Sequence, residues 1–413
     1  MNGGRISFVA VFVLVLTMAF SLTSSKSVNF AEAQKIPNQY IVVLKNNVVD
    51  PETVANDMAL KHGLGKGQIY GHALKGFSAV IPDAVLEKVR NDPRVSLVEQ
   101  DQVVQAFVQT LPTGINRVDA DLSSTKSGDG SGSVSVDIAI IDTGIDLIHP
   151  DLYVYKQKTF VKGTKSANDD NGHGTHVAGI AAAKDNSAGV AGIAPGAKLW
   201  AVKVLSRTGS GSMSNVIAGI DYVTANAGEI EVANMSLGCE CTSTALNTAI
   251  SNSVKAGVTY VVAAGNSGKD AATFSPANHP DVIAVSAIVD TDGKCGGLGP
   301  STSYGTDDTF ATFSNFGSVV DMAAPGVNIY STYKSGTYAT LSGTSMASPH
   351  VTGAAALYKA NNPTATPAQV QDALKTLGIP QTKSCDTALN NGNGGFTGDT
   401  DGFPEPLVYV ASL

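Results

Sequence analysis

The sequence predicts an α/β protein with a doubly wound parallel sheet, helices on both faces, and a smaller α+β module before it. Strand and helix patterns alternate along residues 134–377. The first strand pattern, residues 134–141, is apolar with few charges, as expected of a strand buried on both faces. The chain also divides by charge, because residues 34–107 carry no net charge whereas residues 108–413 are acidic.

Residues 1–33 are predicted to be a secretory signal peptide. Arg5 precedes an apolar run over residues 8–20, which is shorter than the roughly 20 residues that a membrane-spanning helix needs. A polar stretch follows, and small residues offer a cleavage point near Ser25 or after Ala33. The alternative is an uncleaved membrane anchor.

Residues 34–107 are predicted to form a small α+β module of the ferredoxin-like type. The element order is strand, helix, strand, strand, helix, strand, which is typical of that architecture. The predicted strands are residues 40–44, two within 68–81 that turn near Lys75 and Gly76, and 95–100, and the predicted helices are 51–62 and 83–91.

Residues 108–413 are predicted to form the parallel sheet and the helices that cover it. The predicted strands are residues 134–141, 199–204, 232–236, 259–264 and 282–286. The predicted helices are residues 174–183, 212–226, 242–256, 344–360 and 367–377. A stretch rich in Gly, Asn and Asp, residues 390–401, is predicted to be a loop.

Composition excludes several classes of function. Lys and Arg total 27 against 35 Asp and Glu, and the resulting net charge of −8 argues against a nucleic-acid binder, which needs a basic surface. Hydrophobic residues make up 43% of the chain, so a large core is possible and wholesale disorder is excluded.

The four cysteines, Cys239, Cys241, Cys295 and Cys385, all lie in the acidic unit. An even number in an exported chain permits two disulfides. Because one residue separates Cys239 from Cys241, a bond between them would be strained, and we expect each to pair elsewhere or to stay reduced. A zinc site is a weaker interpretation, because no Cys-x2-Cys pair or clustered His accompanies these residues.

Three motifs place side chains of catalytic type at the ends of predicted elements. Asp142 ends the first strand in IIDTG, at the sheet edge where α/β proteins gather ligands. His173 begins a helix in NGHGTH, with a glycine on each side that lets other backbone approach the ring. Ser345 begins a later helix in GTSMASPH, where free N–H groups and the helix dipole would favour a nucleophile. Each motif alone also fits an ordinary cap or turn.

Taken together, in the order Asp, His and Ser, the motifs resemble those of the subtilisin-like serine proteases, the subtilases. The resemblance covers residues 108 to about 380 as a catalytic domain and 39–107 as the family's inhibitory propeptide. It implies a subtilisin-like fold in which Asp142 orients His173, His173 accepts the proton of Ser345, and Ser345 attacks the scissile carbonyl. It also implies the domain limits 34–107 for the propeptide and 108–413 for the peptidase domain.

The resemblance extends to the groups that stabilise and bind the substrate. The segment AAGNSG at 263–268 matches the family's oxyanion motif, so Asn266 would donate its amide to the developing negative charge together with the Ser345 N–H. The substrate would lie extended along two strand edges. Phe274 lies near the expected pocket floor, where its ring would narrow the pocket. The residues matched to the substrate edges and pocket are Ser210, Gly211, Ser236, Leu237, Gly238 and Gly265.

A structural calcium ion is also implied by the resemblance. Calcium takes six to eight oxygen ligands from carboxylates, amides and carbonyls. The family's strong site would draw on side chains of Gln109, Asp151 and Asn186 and on the carbonyls of Lys184, Ala188 and Val190. The alternative is that the Asn-Ser-x-Gly segment at 186–189 is only a surface turn.

We therefore expect a secreted, extracellular serine endopeptidase made as a self-processing zymogen and cut between Phe107 and Val108. It would be a monomer that acts on protein and peptide substrates, with its own propeptide as inhibitor, no nucleic-acid partner and no membrane contact after signal removal. Two alternatives remain open. A metallopeptidase would use His173 and His176, although the His-Glu-x-x-His pattern is missing, and His176 also fits a packed helix residue. A non-catalytic relative would only bind peptides.

Overall fold

The computed structural model describes residues 35–102, 109–386 and 394–413 of the chain. The predicted signal peptide and the expected cleavage site at Phe107 and Val108 lie outside these ranges. Within them, every helix is too short or too polar to cross a lipid bilayer.

The N-terminal module has the predicted order of elements. Its four strands form an antiparallel sheet in the order β2-β3-β1-β4, and the two helices pack on that sheet around Val42, Met58 and Phe77. The prediction of a ferredoxin-like architecture agrees with this order. The elements are β1 (Lys35–Leu44), α1 (Pro51–His62), β2 (Gly65–Tyr70), β3 (Gly76–Val80), α2 (Asp83–Arg90) and β4 (Val95–Gln102).

The larger unit alternates strands and helices along most of its length. Two short 3-10 helices, Ala120–Leu122 and Ala271–Thr273, supplement its longer elements. The helices are α3 (Thr113–Arg117), α4 (His173–Ala182), α5 (Met213–Ala225), α6 (Thr244–Lys255), α7 (Thr344–Asn361) and α8 (Pro367–Leu377). The strands are β5 (Asp137–Asp142), β6 (Val154–Thr159), β7 (Lys198–Lys203), β8 (Val232–Met235), β9 (Cys239–Glu240), β10 (Thr259–Ala263), β11 (Phe274–Ser275), β12 (Val282–Val289), β13 (Thr309–Phe310), β14 (Met322–Pro325), β15 (Ile329–Tyr333) and β16 (Thr337–Leu341).

The main sheet is doubly wound, as predicted. Its strand order is β13-β12-β10-β8-β5-β7-β6, β14 also pairs with β12, and every pairing is parallel except that of β12 with β13. Successive side chains of a strand point to opposite faces. Accordingly, Ile138 and Ile140 belong to the core beneath α4 and α7, whereas Ala139 and Ile141 belong to the core beneath α5 and α6.

Seven strands of the larger unit were not predicted: the two-residue strands β9, β11 and β13, and the longer strands β6, β14, β15 and β16. The sequence of β6, VYKQKT, lacks the apolar run of the central strands because β6 is the edge strand of the sheet and one of its faces is exposed. The strand β14 has four residues, MAAP, which is too short for a periodic pattern. Strands β15 and β16 form a hairpin that covers α4.

The carboxyl edge of the sheet brings the three catalytic motifs together. Asp142 is the last residue of β5, His173 is the first residue of α4, and Ser345 is the second residue of α7. Gly172 precedes α4 with φ of 114°, and a Cβ there would lie 2.2 Å from the Tyr333 ring. Glycine is therefore required at this turn, and it lets the chain enter α4 beneath the β15–β16 hairpin.

The expectation for Cys239 and Cys241 was wrong, because the structure joins them in a disulfide. The Cys241 N–H donates to the Cys239 carbonyl at 2.9 Å, and this tight turn brings the two Cα atoms to 5.3 Å, within the range of ordinary disulfides. The second disulfide joins Cys295 to Cys385 across 90 residues.

Candidate active site

Asp142 and His173 are joined by a hydrogen bond at the end of β5. The Asp142 side chain is fully buried, and its Oδ1 and Oδ2 lie 2.8 and 3.0 Å from Nδ1 of His173. Because a carboxylate accepts, this contact assigns the proton of neutral His173 to Nδ1 and leaves the lone pair on Nε2. The imidazole is therefore oriented to accept a proton on the side away from Asp142.

Asp169 holds the turn before α4. Its Oδ1 accepts from the N–H groups of Asn171 and Gly172 and from the Thr143 hydroxyl, at 2.9–3.0 Å. Its Oδ2 accepts from the N–H and the hydroxyl of Thr175, at 2.9 and 2.6 Å. One buried carboxylate thus fixes the backbone on both sides of the histidine.

The electrostatic environment keeps His173 basic and His176 neutral. Burial alone would lower the pKa of His173, but the charge and hydrogen bond of Asp142, helped by the charge of Asp169, raise it above its ordinary value. Burial lowers the pKa of His176 to about 3. Its Nε2 lies 3.0 Å from the carbonyls of Ile329 and Ala339, so His176 is a packed helix residue and not a partner of His173 in a metal site.

Ser345 and Ser236 exchange two hydrogen bonds. The Ser345 hydroxyl donates to the Ser236 carbonyl at 3.2 Å, and the Ser236 hydroxyl donates to the Ser345 carbonyl at 2.9 Å. Pro349, four residues after Ser345, has no N–H for that carbonyl, so the helix itself leaves it open. A hydroxyl has one proton, so the Ser345 O–H must turn away from the Ser236 carbonyl before it can donate to His173.

A chain of side chains beneath α7 fixes Ser236. Asn234 donates from Nδ2 to the Ser236 hydroxyl at 2.9 Å, and its Oδ1 accepts from Ser348 at 2.7 Å and Thr352 at 2.8 Å. All of these groups are buried, which makes each bond costly to lose.

The Asn266 amide is oriented by Thr344. Its Oδ1 accepts from the N–H and the hydroxyl of Thr344, both at 2.8 Å. Because a backbone N–H can only donate, the amide oxygen must face Thr344, and Nδ2 is the atom turned away from it. The Thr344 hydroxyl also accepts from the N–H of Gly265 at 3.1 Å, where φ is 111° and a Cβ would lie 2.3 Å from Asn315. Nδ2 and the Ser345 N–H, in the first turn of α7, are thus available as donors.

Two clefts meet at residues 237–239. The smaller, about 300 Å³, is bordered by Ser345, Asn266 and Phe274, as predicted for a primary pocket. The larger, about 590 Å³, is bordered by His173 and the 209–213 segment. Together they contain every residue predicted to bind the substrate, namely Ser210, Gly211, Ser236, Leu237, Gly238 and Gly265.

The residues predicted to bind calcium lie together beside the loop after α4. Asp151 is 2% exposed, and its Oδ2 accepts from the N–H of Val190 at 2.8 Å and from the Tyr338 hydroxyl at 3.2 Å. Its Oδ1 lies 3.5 Å from Nδ2 of Asn186, whose Oδ1 accepts from the Ala188 N–H at 3.1 Å. Burial raises the pKa of Asp151 to about 6, because the ionised carboxylate has lost its hydration. A bound cation would stabilise that ionised form.

The Gln109 amide provides a test of fit for that ion. Its Nε2 lies 2.9 Å from the Lys184 carbonyl and 3.4 Å from the Val190 carbonyl, while its buried Oε1 has no hydrogen-bond partner among the described residues. Turning the amide over would point Oε1 at two carbonyl oxygens, which is favourable only with a cation between them. The donor set therefore fits calcium.

Two supporting residues were not predicted. Lys203 is buried, and its ammonium donates to the Thr143 carbonyl and to Asp170 Oδ1 at 2.7 Å. The sequence offered one signal for Lys203, because a lysine directly follows the apolar run LWAV in β7 and so lies where a buried residue is expected. Asp169 lies four residues before His173 and carried no signal beyond its place in a turn-rich segment.

Comparisons with known proteins agree with this geometry. Residues 133–394 match the subtilase family, and residues 39–107 match the peptidase inhibitor I9 family. Subtilisin NAT of Bacillus subtilis subsp. natto is 38% identical over 375 residues, 90% of this chain and 92% of that protein. An extracellular serine proteinase of Thermus sp. (strain Rt41A) is 41% identical over 378 residues, 84% of this chain and 86% of that protein. The crystal structure of a cold adapted subtilisin-like serine proteinase superposes with a TM-score of 0.57 at 35% identity, covering 72% of this chain and 97% of that one.

The chain belongs to the subtilase family and is a serine-type endopeptidase. Its N-terminal module is a domain of the inhibitor I9 family. The predicted family, enzyme class and subtilisin-like fold are thereby confirmed.

Proposed function

We propose that this protein is a secreted endopeptidase that hydrolyses proteins through Asp142, His173 and Ser345, with a covalent acyl-enzyme intermediate. The observation that carries the proposal is the Asp142–His173 pair, whose imidazole borders one cleft, while Ser345 and Asn266 border the cleft that adjoins it. A buried carboxylate that orients an imidazole, together with a serine at a helix N-terminus, is the arrangement expected of an activated serine nucleophile.

In the proposed mechanism, Ser345 rotates toward Nε2 of His173 and attacks the scissile carbonyl as His173 takes its proton. Asp142 stabilises the resulting imidazolium, and His173 then gives the proton to the leaving amine. The acyl-enzyme is hydrolysed by water in a second step of the same kind, in which His173 activates the water. Two proton transfers per half-reaction pass through one imidazole, so its pKa governs both.

The oxyanion formed during attack needs donors aimed at it. Asn266 Nδ2 and the Ser345 N–H fit this role because Thr344 holds the amide oxygen of Asn266 away from the reacting carbon. Losing such an amide costs about 10²–10³ in turnover, a value measured on a subtilisin. Thr344 would thus act as a positioning residue for Asn266.

Ser345→Ala tests the nucleophile. The variant should fold, because the substitution removes only the Ser345 hydroxyl oxygen. It should lose nearly all turnover, while a rate about 10³–10⁴-fold above that of the uncatalysed reaction in water should remain. Turnover is followed with a chromogenic peptide that has a large apolar residue before the scissile bond, and the melting temperature serves as the folding control. Activity within tenfold of the parent would overturn the assignment.

Reagents separate this proposal from its rivals. A serine-reactive phosphonate should label Ser345 and abolish activity, whereas a zinc chelator should leave it intact. A metallopeptidase would show the reverse. A protein that only binds peptides would react with neither and would release the peptide uncut.

We also propose that Gln109, Asp151 and Asn186, with the carbonyls of Lys184, Ala188 and Val190, hold a structural calcium ion. The ion would neutralise the buried Asp151 and tie the segment before α3 to the loop after α4. That connection exists already in part, because the Thr110 N–H donates to the Gly189 carbonyl at 2.8 Å. The ion would contribute stability and not chemistry.

We further propose that the chain is exported and matures by its own cut between Phe107 and Val108, after which the I9 domain remains as inhibitor. The match to the I9 family supports an intramolecular inhibitor. As bound product residues, Phe107 would enter the smaller cleft, which Phe274 borders, and Val104 would lie in the larger cleft, which is mainly apolar. Self-cleavage would make activity depend on completed folding.

Maturation is tested by mass spectrometry on refolded precursor. Parent protein should yield a chain that begins at Val108, while Ser345→Ala refolded alone should stay intact. Mutant protein split at the same bond would show that another protease makes the cut. Adding a trace of mature parent enzyme to the mutant then separates cleavage in cis from cleavage in trans.

A further inference from the structure

The loop between β12 and β13 contains a second group of acidic side chains, far in sequence from the proposed calcium site. Carboxylate oxygens of Asp290, Asp292 and Asp307 lie within 4.8 Å of one another. Asp290 and Asp307 are buried, at 1% and 4% exposure, and Asp292 is half-buried. Three carboxylates so close together repel one another unless a positive charge or a proton intervenes.

The buried cation nearby, Arg117, makes its hydrogen bonds to groups other than these three carboxylates. The Arg117 guanidinium donates from Nε and Nη2 to Asp308 Oδ1 at 3.0 and 2.8 Å, and from Nη2 to the carbonyls of Gly394 and Gly395. Its closest approach to Asp290 is 3.9 Å, between Nε and Oδ1, too long for a hydrogen bond. Lys294 lies on the exposed rim of the loop.

Asp290 retains an unused oxygen. Its Oδ1 accepts from the Gly293 N–H at 3.1 Å, but its Oδ2 is buried and has no hydrogen-bond partner among the described residues. A buried carboxylate oxygen in that state has lost its hydration and has gained no hydrogen bond in return, which destabilises the folded chain. The atom therefore indicates a ligand that protein groups do not supply.

The loop around these residues is already fixed. Asp307 accepts from the N–H and the hydroxyl of Thr291 at 2.8 and 2.9 Å, and from the Gly299 N–H at 2.8 Å. The Asn116 amide donates to the Gly293 carbonyl at 3.0 Å, and the Cys295–Cys385 disulfide anchors the loop to the C-terminal segment. A site held this way needs little reorganisation to bind an ion.

We propose that Asp290, Asp292 and Asp307 bind a divalent cation of the calcium type. Calcium prefers carboxylate and carbonyl oxygens at about 2.3–2.6 Å, so its ligand atoms can be up to about 5 Å apart, as the spacing here allows. The ion would cancel the repulsion among the three carboxylates and satisfy Asp290 Oδ2. Zinc is disfavoured because the group contains neither a histidine nor a free cysteine.

Two other occupants are possible outcomes of the test. A water molecule could bridge Asp290 Oδ2 to Nη1 of Arg117, which is also buried without a partner. A proton could neutralise Asp290 instead, since burial, together with the nearby carboxylates, raises its pKa to about 8. Neither alternative makes calcium binding depend on Asp290 or Asp292.

The number of calcium ions bound per chain distinguishes a calcium ion from a water molecule or a proton as the occupant of this site. Metal-free full-length Ser345→Ala, which should not digest itself, is titrated with calcium chloride by isothermal calorimetry, with circular dichroism as folding control. Asp290→Asn and Asp292→Asn, each in this background, should bind one ion fewer per chain, while the charge-matched surface variant Asp372→Asn should bind as many as the parent. Asp290→Asn should also melt at a higher temperature than its parent without calcium, because it removes the buried charge.

The site at Asp151 is counted separately. Asp151→Asn should remove a different ion, so the double variant Asp151→Asn/Asp292→Asn should bind two fewer than the parent. The half-buried Asp292 keeps the test valid if Asp290→Asn fails to fold. Unchanged calcium stoichiometry in both loop variants would overturn the proposal and leave the water or the proton as occupant.

Discussion

The hydroxyl of Ser236 takes the place, on the carbonyl of Ser345, that a helix N–H would otherwise fill. Pro349 makes this possible because it has no N–H to donate four residues back. The Ser345 carbonyl is thus held by Ser236, which lies on the cleft side of α7, and not by an N–H of α7 itself. The segment after β8, which borders the clefts, therefore also positions the serine.

Ser236→Ala should lower kcat more than it raises KM. It would leave the Ser345 carbonyl and the Asn234 amide without their partner, at a cost of about 1–3 kcal/mol in stability, and would loosen the serine. The matched control is Ser253→Ala, which removes another buried hydroxyl, bonded to Tyr260 at 2.9 Å. Steady-state kinetics and thermal melting are compared for both. An equal fall in melting temperature with no change in kcat for Ser236→Ala would contradict the positioning role.

The pH dependence of kcat/KM should report His173. The base must be neutral to accept a proton, so activity should rise with pH through the pKa of His173, above the ordinary value of about 6.5. Asp169→Asn removes a charge that raises this pKa, so the acid limb should move to lower pH. Asp221→Asn, an exposed substitution, is the control. An acid limb that stays in place, or moves to higher pH, in Asp169→Asn would contradict the electrostatic account.

Asp151→Ala should remove the part of the calcium-dependent stability of the mature enzyme that comes from the ion proposed at Asp151. An ion that binds only the folded state at 100 times its dissociation constant adds about 2.7 kcal/mol, which appears as a higher melting temperature. Melting curves in chelator and in millimolar calcium measure this gain, with Asp129→Ala as an exposed control. A variant that gains as much as the parent would show that no ion binds at Asp151.

The sequence predicted those parts of the fold that have their own local pattern. The five central strands are apolar because both faces are covered, and the helices carry clear limits, such as Thr366 and Pro367 at the start of α8. Asp142, His173 and Ser345 could be placed at element ends because each follows or begins a periodic segment. Their approach to one another followed from the rule that parallel strands present their carboxyl ends at one edge.

Other features depend on contacts between distant residues and have no local signal. The edge strand β6 is polar because it has an exposed face, so it does not resemble the central strands. The Cys239–Cys241 bond depends on a single tight turn that brings the Cα atoms together. Asp169 and Thr344 contribute through hydrogen bonds to backbone, and many aspartates and threonines make such bonds without any functional role.

The site is composed of segments that lie far apart along the chain. Asp142 and His173 are separated by 31 residues, and Ser236 and Ser345 by 109. These groups meet only when the parallel strands between them have paired, and such long-range pairing is the slow part of folding. If the proposed triad is the catalytic one, a half-assembled molecule cannot cleave its neighbours. Proteolytic activity is therefore expected only from molecules that have completed folding.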